Sequence, residues 1–486
     1  MSQPQFQQRM RLFDATMLVA GSMIGSSIFL ALPLMADKVP SPGMLMGLWI
    51  YGGLFTLLGA ICCAELAAML PKAGGQYVFI REAFGDLWAF LYGWTQFLII
   101  QTGTCAAVAI AFAKYLGSLV PGLGENVVLA TIPLGNLLPA AWQTHLPEGF
   151  LSLPINSAQL VACGVIVLLT GVNIRGLREG VWVQNLFTVL KMAALAALIV
   201  AGLYFGLKSP NFIPPAKPIP TENLFTLAFL GGMAVALSKA LFAYDAWYTV
   251  TFVAEEVRDT DRTLPRSLIW GTVVVIVLYL LANLAYLAVL PIDQIAGVKE
   301  ERIVQAMGER LFGNVGAVLM ILAVLISTFG CLNGLLLGGA RVCYAMAREG
   351  LFLRSCGRLR PKANTPAVAL VYQGIVTIAL TLTGSYSGLL TYTMFASVFF
   401  VGLMVAAIYR LRSKYPDLPR PFRCWGYPAT PAVFLAMCVA FLICVFIDEP
   451  LAPGFGILLM LAGIPFYVFW RKRGANAESS SHGIVR

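Results

Sequence analysis

Charge is scarce in this chain, and histidine is nearly missing. Only 12% of its 486 residues are Asp, Glu, Lys or Arg, against roughly 25% in an ordinary soluble domain. The two histidines, His145 and His482, fall in an expected loop and in the polar C-terminal tail. A membrane enzyme needs convergent catalytic groups, and these two make poor ones, so no enzyme is read here. The ten cysteines form no Cys-x-x-Cys pair and no Cys/His cluster, which argues against a metal site. Cys62, Cys63, Cys105, Cys163, Cys331, Cys343, Cys438 and Cys444 sit in apolar runs and read as small buried hydrophobes. No cofactor is expected. The start carries Gln, Arg and Asp and has no cleavable leader pattern, so the first apolar run reads as a true span.

What the chain has in place of charge is apolar length. Hydrophobic residues make up 59% of it, in runs of about 20 residues, enough to cross about 30 Å of hydrocarbon. The expected class is an all-α membrane protein of twelve spans, near 13–35, 43–70, 86–119, 156–172, 182–206, 224–256, 267–290, 314–347, 366–383, 389–411, 428–447 and 452–470. The net charge of +10 is a membrane signal and not a nucleic-acid one, because the basic residues gather in the loops of one side. The positive-inside rule places that side, and both termini, in the cytoplasm. Residues 71–84 fit a short cytoplasmic surface helix, 120–155 a long external loop with an apolar patch near Leu129 to Leu138, and 291–313 an external loop with a short helix. The polar tail 475–486 has the composition of a disordered segment.

Two spans are interrupted. The first carries Gly21-Ser22-Met23-Ile24-Gly25-Ser26-Ser27 at its centre, and the sixth carries Ala243-Tyr244-Asp245-Ala246-Trp247. Open backbone at bilayer depth is tolerated only where it lines a cavity or is buried in protein. Two such breaks five spans apart point to a midplane binding site between inverted repeats. The repeats would be 1–206 (spans 1–5) and 207–411 (spans 6–10), with 412–474 adding spans 11 and 12. Glycine lets the first helix open, and the N–H groups that open would attract a carboxylate. Gly21 and Gly25 also fit a plain small-residue packing face. At the second break, open carbonyls favour an ammonium, and Phe242 is placed to close over it. Asp245 is read either as a ligand or as a helix cap that holds the site's shape, and Trp247 and Tyr248 either as lining or as packing. Glu255, Glu256, Arg258, Asp259, Asp261 and Arg262 form an inner gate or a helix anchor. Lys239 snorkels outward or meets substrate.

Lys191 lies deep in the fifth expected span. A buried ammonium is paired, hydrated or deprotonated, because bare burial is prohibitive. Its expected partners are the carbonyls and hydroxyls of the first break, where a fixed ammonium does the work of a bound cation. The other reading is a lysine snorkelling to the interface.

Three stretches carry a family resemblance: Val19 to Phe29; Phe242 to Trp247 running on to Phe252-Val253-Ala254-Glu255-Glu256 and Leu264-Pro265-Arg266-Ser267; and Ser327 to Gly334 followed by Arg341, Ala345, Arg348, Glu349 and Gly350. By these the chain resembles the amino acid–polyamine–organocation transporter superfamily, and within it the L-type amino acid transporter branch with its bacterial exchangers. The resemblance implies a leucine-transporter-type fold with a 5+5 inverted repeat, in a bacterial inner membrane. It implies that backbone around Ile24, Gly25, Ser26 and Ser27 holds a substrate carboxylate. It further implies that carbonyls of Phe242, Ala243 and Asp245 hold the α-amine, with Phe242 as lid. Related bacterial members carry a lysine matching Lys191 in place of sodium. The chain departs from the branch at Ser27, where Gly is common, at Ala246, where Gly is common, and at Tyr248, where Asn is common. Animal members join a single-span partner through a cysteine in the loop after span 3. Residues 120–155 hold no cysteine, so no disulfide-linked heavy chain is expected, only a monomer or weak homodimer.

The leading expectation is therefore sodium-independent exchange of neutral L-amino acids by alternating access. A cationic amino acid or polyamine carrier, with Asp245 as ligand and protons as the coupling ion, is the alternative. A channel would show a continuous polar stripe or a filter motif, and neither is present.

Overall fold

A computed structural model describes residues 8–36, 38–39, 41–133, 153–208, 226–298, 302–360, 363–383, 386–448 and 451–482. The chain is helical, and apolar composition with well-formed caps explains why. The helix α1 (Leu12–Met23) stops at the first break, and α2 (Ala31–Ala36) resumes beyond it. Helix α3 (Pro42–Met69) starts with Pro42 in its first turn and with Ser41 Oγ accepting the Met44 N–H at 3.3 Å, satisfying a donor the helix leaves open. A short α4 (Gln76–Phe84) leads into α5 (Asp86–Thr95). A π-helical turn at Gln96–Ile100 then joins α5 to α6 (Gln101–Leu119). Helix α7 (Ser157–Arg175) opens on a reciprocal box in which the Asn156 and Gln159 side chains each accept the other's N–H at 2.9 Å. It is followed by α8 (Leu177–Gly206), the interrupted pair α9 (Leu227–Tyr244) and α10 (Thr249–Phe252), α11 (Thr260–Val289), α12 (Ile292–Ala296) and α13 (Ile303–Arg348). Helices α14 (Ala367–Thr383), α15 (Tyr386–Lys414), α16 (Ala429–Asp448), α17 (Leu451–Leu461) and α18 (Gly463–His482) complete the chain.

Among the described residues, eight helices are long and apolar enough to cross a membrane, and Leu12–Met23, Phe229–Tyr244 and Ala367–Leu382 are shorter apolar helices. The pairings of these helices follow a pattern. Helix α11 packs on α3, α1 and α8; α9 packs on α3 and α15; α13 packs on α8, α6, α7 and α14; α15 packs on α6 and α3.

Several connections differ from expectation. The stretch 71–84 does contain a helix, but most of α4 is buried, with Tyr77, Phe79 and Ile80 packed inward and the helix set against α15. The connection 120–155 carries a two-stranded antiparallel ribbon, β1 (Val128–Ile132) with β2 (Leu153–Asn156), in which Ile132 faces Leu153 and Val128 faces Asn156. Part of the expected patch, 134–138, lies outside the described residues, as do residues 139–152. The connection 291–313 is more helical than its composition suggests. Helix α13 already begins at Ile303 and only bends at Gly313, whose φ of +62° is open to glycine alone at little cost. The tail is helical as far as His482, because Ala and Glu extend a helix that apolar residues have already nucleated.

Candidate functional site

The first break opens where α1 runs out of partners. A helix end leaves its last four carbonyls unsatisfied, and here side chains from three other helices take them up. Lys191 Nζ, from α8, donates to Gly21 O and, at 2.7 Å, to Ile24 O. Cys331 Sγ, from α13, donates to Ser22 O at 3.2 Å. Tyr279 OH, from α11, donates to Met23 O at 2.9 Å. Ser327 Oγ, also from α13, reaches Gly25 O at 3.2 Å and Ile24 O at 3.4 Å. Five successive carbonyls, Gly21 through Gly25, thus end on side chains rather than on the helix ladder. Ile24 is extended, at φ −74° and ψ 92°, and the chain re-coils in a tight turn over Ser27–Phe29. The Ile24 N–H still closes the last turn of α1 on Ala20 O. Ser22 Oγ is buried and has no hydrogen-bond partner among the described residues.

The glycines of the break are there for contact. A Cβ on Gly21 would stand 2.1 Å from Gln184 Nε2 and 2.2 Å from Thr188 Oγ1, and one on Gly25 would stand 2.9 Å from Cys331 Sγ. The small residues therefore serve both readings at once, because α8 and α13 pack close through them and the helix opens beside that packing. Gly21→Ala is expected to cost about 1–3 kcal/mol, the range for overpacking, and to lower the melting temperature of the purified protein. An unchanged melting curve would show that α8 is not this close.

At the second break α9 ends at Tyr244. Asp245 is extended, at φ −69° and ψ 176°, and Ala246 sits at φ +67°. That left-handed conformation costs a residue with a Cβ about 1–2 kcal/mol, which gives a physical reason for a glycine at this place. The Asp245 carboxylate is held by hydroxyls. Ser397 Oγ of α15 donates to Oδ1 at 3.1 Å, and Tyr248 OH donates to Oδ2 at 3.4 Å. Tyr248 OH and Ser397 Oγ also lie 3.3 Å apart. Phe242 is buried and its carbonyl receives the Asp245 N–H at 3.3 Å, while Ala243 O receives Tyr279 OH at 3.2 Å. One phenol, Tyr279, thus touches Met23 O of the first break and Ala243 O of the second. Trp247 packs edge-on to Tyr248 at 5.3 Å and lies against Gly59 of α3. Lys239 is buried.

The acidic run beyond the break divides its work. Glu256 pairs with Arg341 of α13 through Nε–Oε1 at 2.9 Å and Nη2–Oε2 at 3.3 Å, with both side chains almost fully buried. Arg341 also donates to Leu337 O. Glu255 instead accepts the Ala73 N–H at 3.2 Å. The backbone around Glu256 holds the N-terminal segment, since Glu256 O accepts the N–H groups of Arg9 and Met10 and Met10 O accepts that of Arg258, each at 2.9 Å. Tyr279, Ser327, Cys331 and Ser397 are the contributors that sequence reasoning missed. Ser327 and Cys331 lie four apart on one face of α13, inside a stretch whose pattern stood out. Tyr279 and Ser397 carry no such signal, because a lone Tyr or Ser in an apolar run is ordinary packing.

Eight apolar helices of spanning length, with two shorter apolar helices opened side by side at a buried polar centre, fit a polytopic membrane transporter. The chain belongs to the amino acid permease family, whose description matches residues 10–468. It is 31% identical over 472 residues to the large neutral amino acids transporter small subunit 2 of Homo sapiens, covering 95% of this chain and 81% of that one. It is 28% identical over 466 residues to the b(0,+)-type amino acid transporter 1 of Mus musculus, covering 95% and 87%. It is also 28% identical over 478 residues to the Asc-type amino acid transporter 1 of Mus musculus, covering 98% and 84%. The name "small subunit" describes a member of an assembly, so the expectation of a monomer finds no support in these relatives.

Proposed function

We propose that this protein exchanges neutral L-amino acids across a bacterial plasma membrane by alternating access, without sodium. The single observation that carries the reading is the Lys191 ammonium seated on Gly21 O and Ile24 O. An amine bonded to opened backbone carbonyls occupies the place that a bound metal ion would take. The substrate carboxylate meets backbone N–H groups of Gly25, Ser26 and Ser27 and the partnerless Ser22 hydroxyl, at the positive end of the turn that follows. The α-amine meets carbonyls at the end of α9, where the helix dipole is negative. Phe242 closes over it. Trp247 acts as packing.

The reading includes twelve spans in a 5+5 inverted repeat, 1–206 and 207–411, with both termini cytoplasmic. Helix packing supports it. Numbered as spans, α1 on α11 is 1 on 7 and α9 on α3 is 6 on 2, the same contact shifted by five. In the same way α8 on α13 (5 on 8) maps to α15 on α6 (10 on 3), and α8 on α11 (5 on 7) maps to α15 on α3 (10 on 2). A disulfide-linked partner is not part of the reading, because residues 120–155 hold no cysteine and the ten cysteines are buried or half-buried.

The relatives' names support amino acids as the cargo. Both oxygens of Asp245 are engaged by hydroxyls, which favours a structural acid over a ligand for a cationic substrate. Asp245→Asn should therefore keep neutral amino acid exchange within about five-fold of wild type, the loss of roughly one hydrogen bond. Loss of cation uptake alone would favour the cationic amino acid or polyamine reading. The decisive assay is counterflow in proteoliposomes over a panel of amino acids, with and without sodium and a pH gradient. Exchange of neutral amino acids at equal rates in sodium and in choline is expected. A strict sodium requirement would overturn the role given to Lys191.

A further inference from the structure

A cleft of about 890 Å³ lies away from the two breaks, between the N-terminal segment and the start of α11. It is lined by Gln8, Arg11, Leu12, Arg258 to Thr263 and Arg266. Four guanidinium groups and two carboxylates, Asp259 and Asp261, share it, which leaves a net charge of +2 on its walls. Among the described residues none of the four arginines is within ion-pair distance of a carboxylate, and the arginines are exposed. Arg258 Nε alone has a fixed partner nearby, Gln8 O at 2.9 Å.

The cleft continues into a lipid-like surface. Arg262, Arg266 and Trp270 follow at intervals of four on α11 and so share one face. Farther along the same helix the exposed residues are Val277 and Leu281, and across the cleft Leu12 and Phe13 are exposed. Trp270 itself is 61% exposed. Cationic groups, then an indole, then aliphatic side chains reproduce in order the phosphate, interfacial and acyl layers of a bilayer.

We propose that this cleft is a binding site for the phosphate headgroup of an anionic phospholipid, with Arg262 and Arg266 on the phosphate and Trp270 at the acyl boundary. The site spans the Met10–Val257 junction, where the chain entering the first broken helix is tied to the chain leaving the second. A lipid seated there holds that junction together. A free phosphate ion would satisfy the arginines but leave the apolar face unused, which is why the lipid is the ligand the surface favours.

The test uses the full-length protein in detergent, titrated with phosphatidylglycerol, phosphatidylcholine or inorganic phosphate. Bound lipid is counted by native mass spectrometry, and thermal stability is read in parallel. Wild type should retain phosphatidylglycerol over phosphatidylcholine and melt higher with it. A basic residue beside an anionic headgroup is worth about five-fold in affinity, so Arg262→Gln/Arg266→Gln should weaken that preference by more than about tenfold. Brominated phosphatidylglycerol should quench wild-type fluorescence more than that of Trp270→Phe, a variant that leaves the arginines intact and so controls for folding. An unchanged lipid preference in the double arginine variant overturns the proposal. So does inorganic phosphate stabilising as strongly as phosphatidylglycerol, or equal quenching in Trp270→Phe.

Discussion

Lys191→Ala is expected to insert and fold but to exchange amino acids on the order of 100-fold more slowly than wild type. The reasoning starts from the two carbonyls that the ammonium holds, Gly21 O and Ile24 O. Alanine cannot reach them. Gly21 O loses its donor and Ile24 O keeps only the longer Ser327 contact. A buried acceptor left without a donor costs about 1–3 kcal/mol, and at the hinge of an opened helix that loss falls mostly on the geometry of the site. The neighbours soften the loss for folding. Ser327 still reaches Ile24 O, Tyr279 still holds Met23 O and Cys331 still holds Ser22 O. The opened segment therefore keeps its fold but loses the pair of bonds that sets its register against α8. Initial rates of counterflow at matched amounts of reconstituted protein give the check. Exchange at the wild-type rate would show that Lys191 is a bystander.

Glu256→Gln should produce the largest loss of stability among single changes in this region. The Glu256–Arg341 pair is bidentate, and its two side chains are 1% and 2% exposed. Removing one member of a buried pair strands the other charge, a loss of about 3–5 kcal/mol. Arg341 has one more anchor, Leu337 O, which cannot neutralise it. Removing both charges, in Glu256→Gln/Arg341→Gln, leaves no stranded ion and should recover a large part of the lost stability. Melting temperatures of the two single variants and the double give the coupling directly. Purely additive losses would show that the two side chains do not depend on one another. The Glu256 backbone also holds Arg9 and Met10, so a shift of this residue should also loosen the N-terminal segment, visible as faster amide exchange there.

How much of this was legible in the sequence follows from what each feature costs to hide. Length and apolarity expose the spans, because nothing else explains runs that long. The two breaks were visible because glycine, serine and aspartate are expensive inside an apolar helix. Lys191 stood out for the same reason, and its partners followed from the need to pair a buried ammonium. The residues that complete the site were not legible. Tyr279 bridges Met23 O and Ala243 O, yet tyrosine in an apolar span costs little and draws no notice. Ser397 faces Asp245 across 152 residues of sequence, a distance no local pattern reports. The partner of Glu256 was hidden likewise, since Arg341 lies in another motif and only the fold brings them together. The segment 291–313 reads as a loop with a short helix, while the long helix already starts at Ile303 and bends only at Gly313. Ala246 is an instructive case, because its departure from glycine was visible while the left-handed backbone that makes it matter was not.

One measurement bears most directly on the mechanism: a structure of the protein in lipid with a neutral amino acid bound. The account predicts the carboxylate within hydrogen-bond distance of backbone N–H groups between Gly25 and Ser27, and the amine against carbonyls at the end of α9, with Lys191 still on Gly21 O and Ile24 O. An amino acid bound away from both breaks, or either break seen as continuous helix facing lipid, would contradict it.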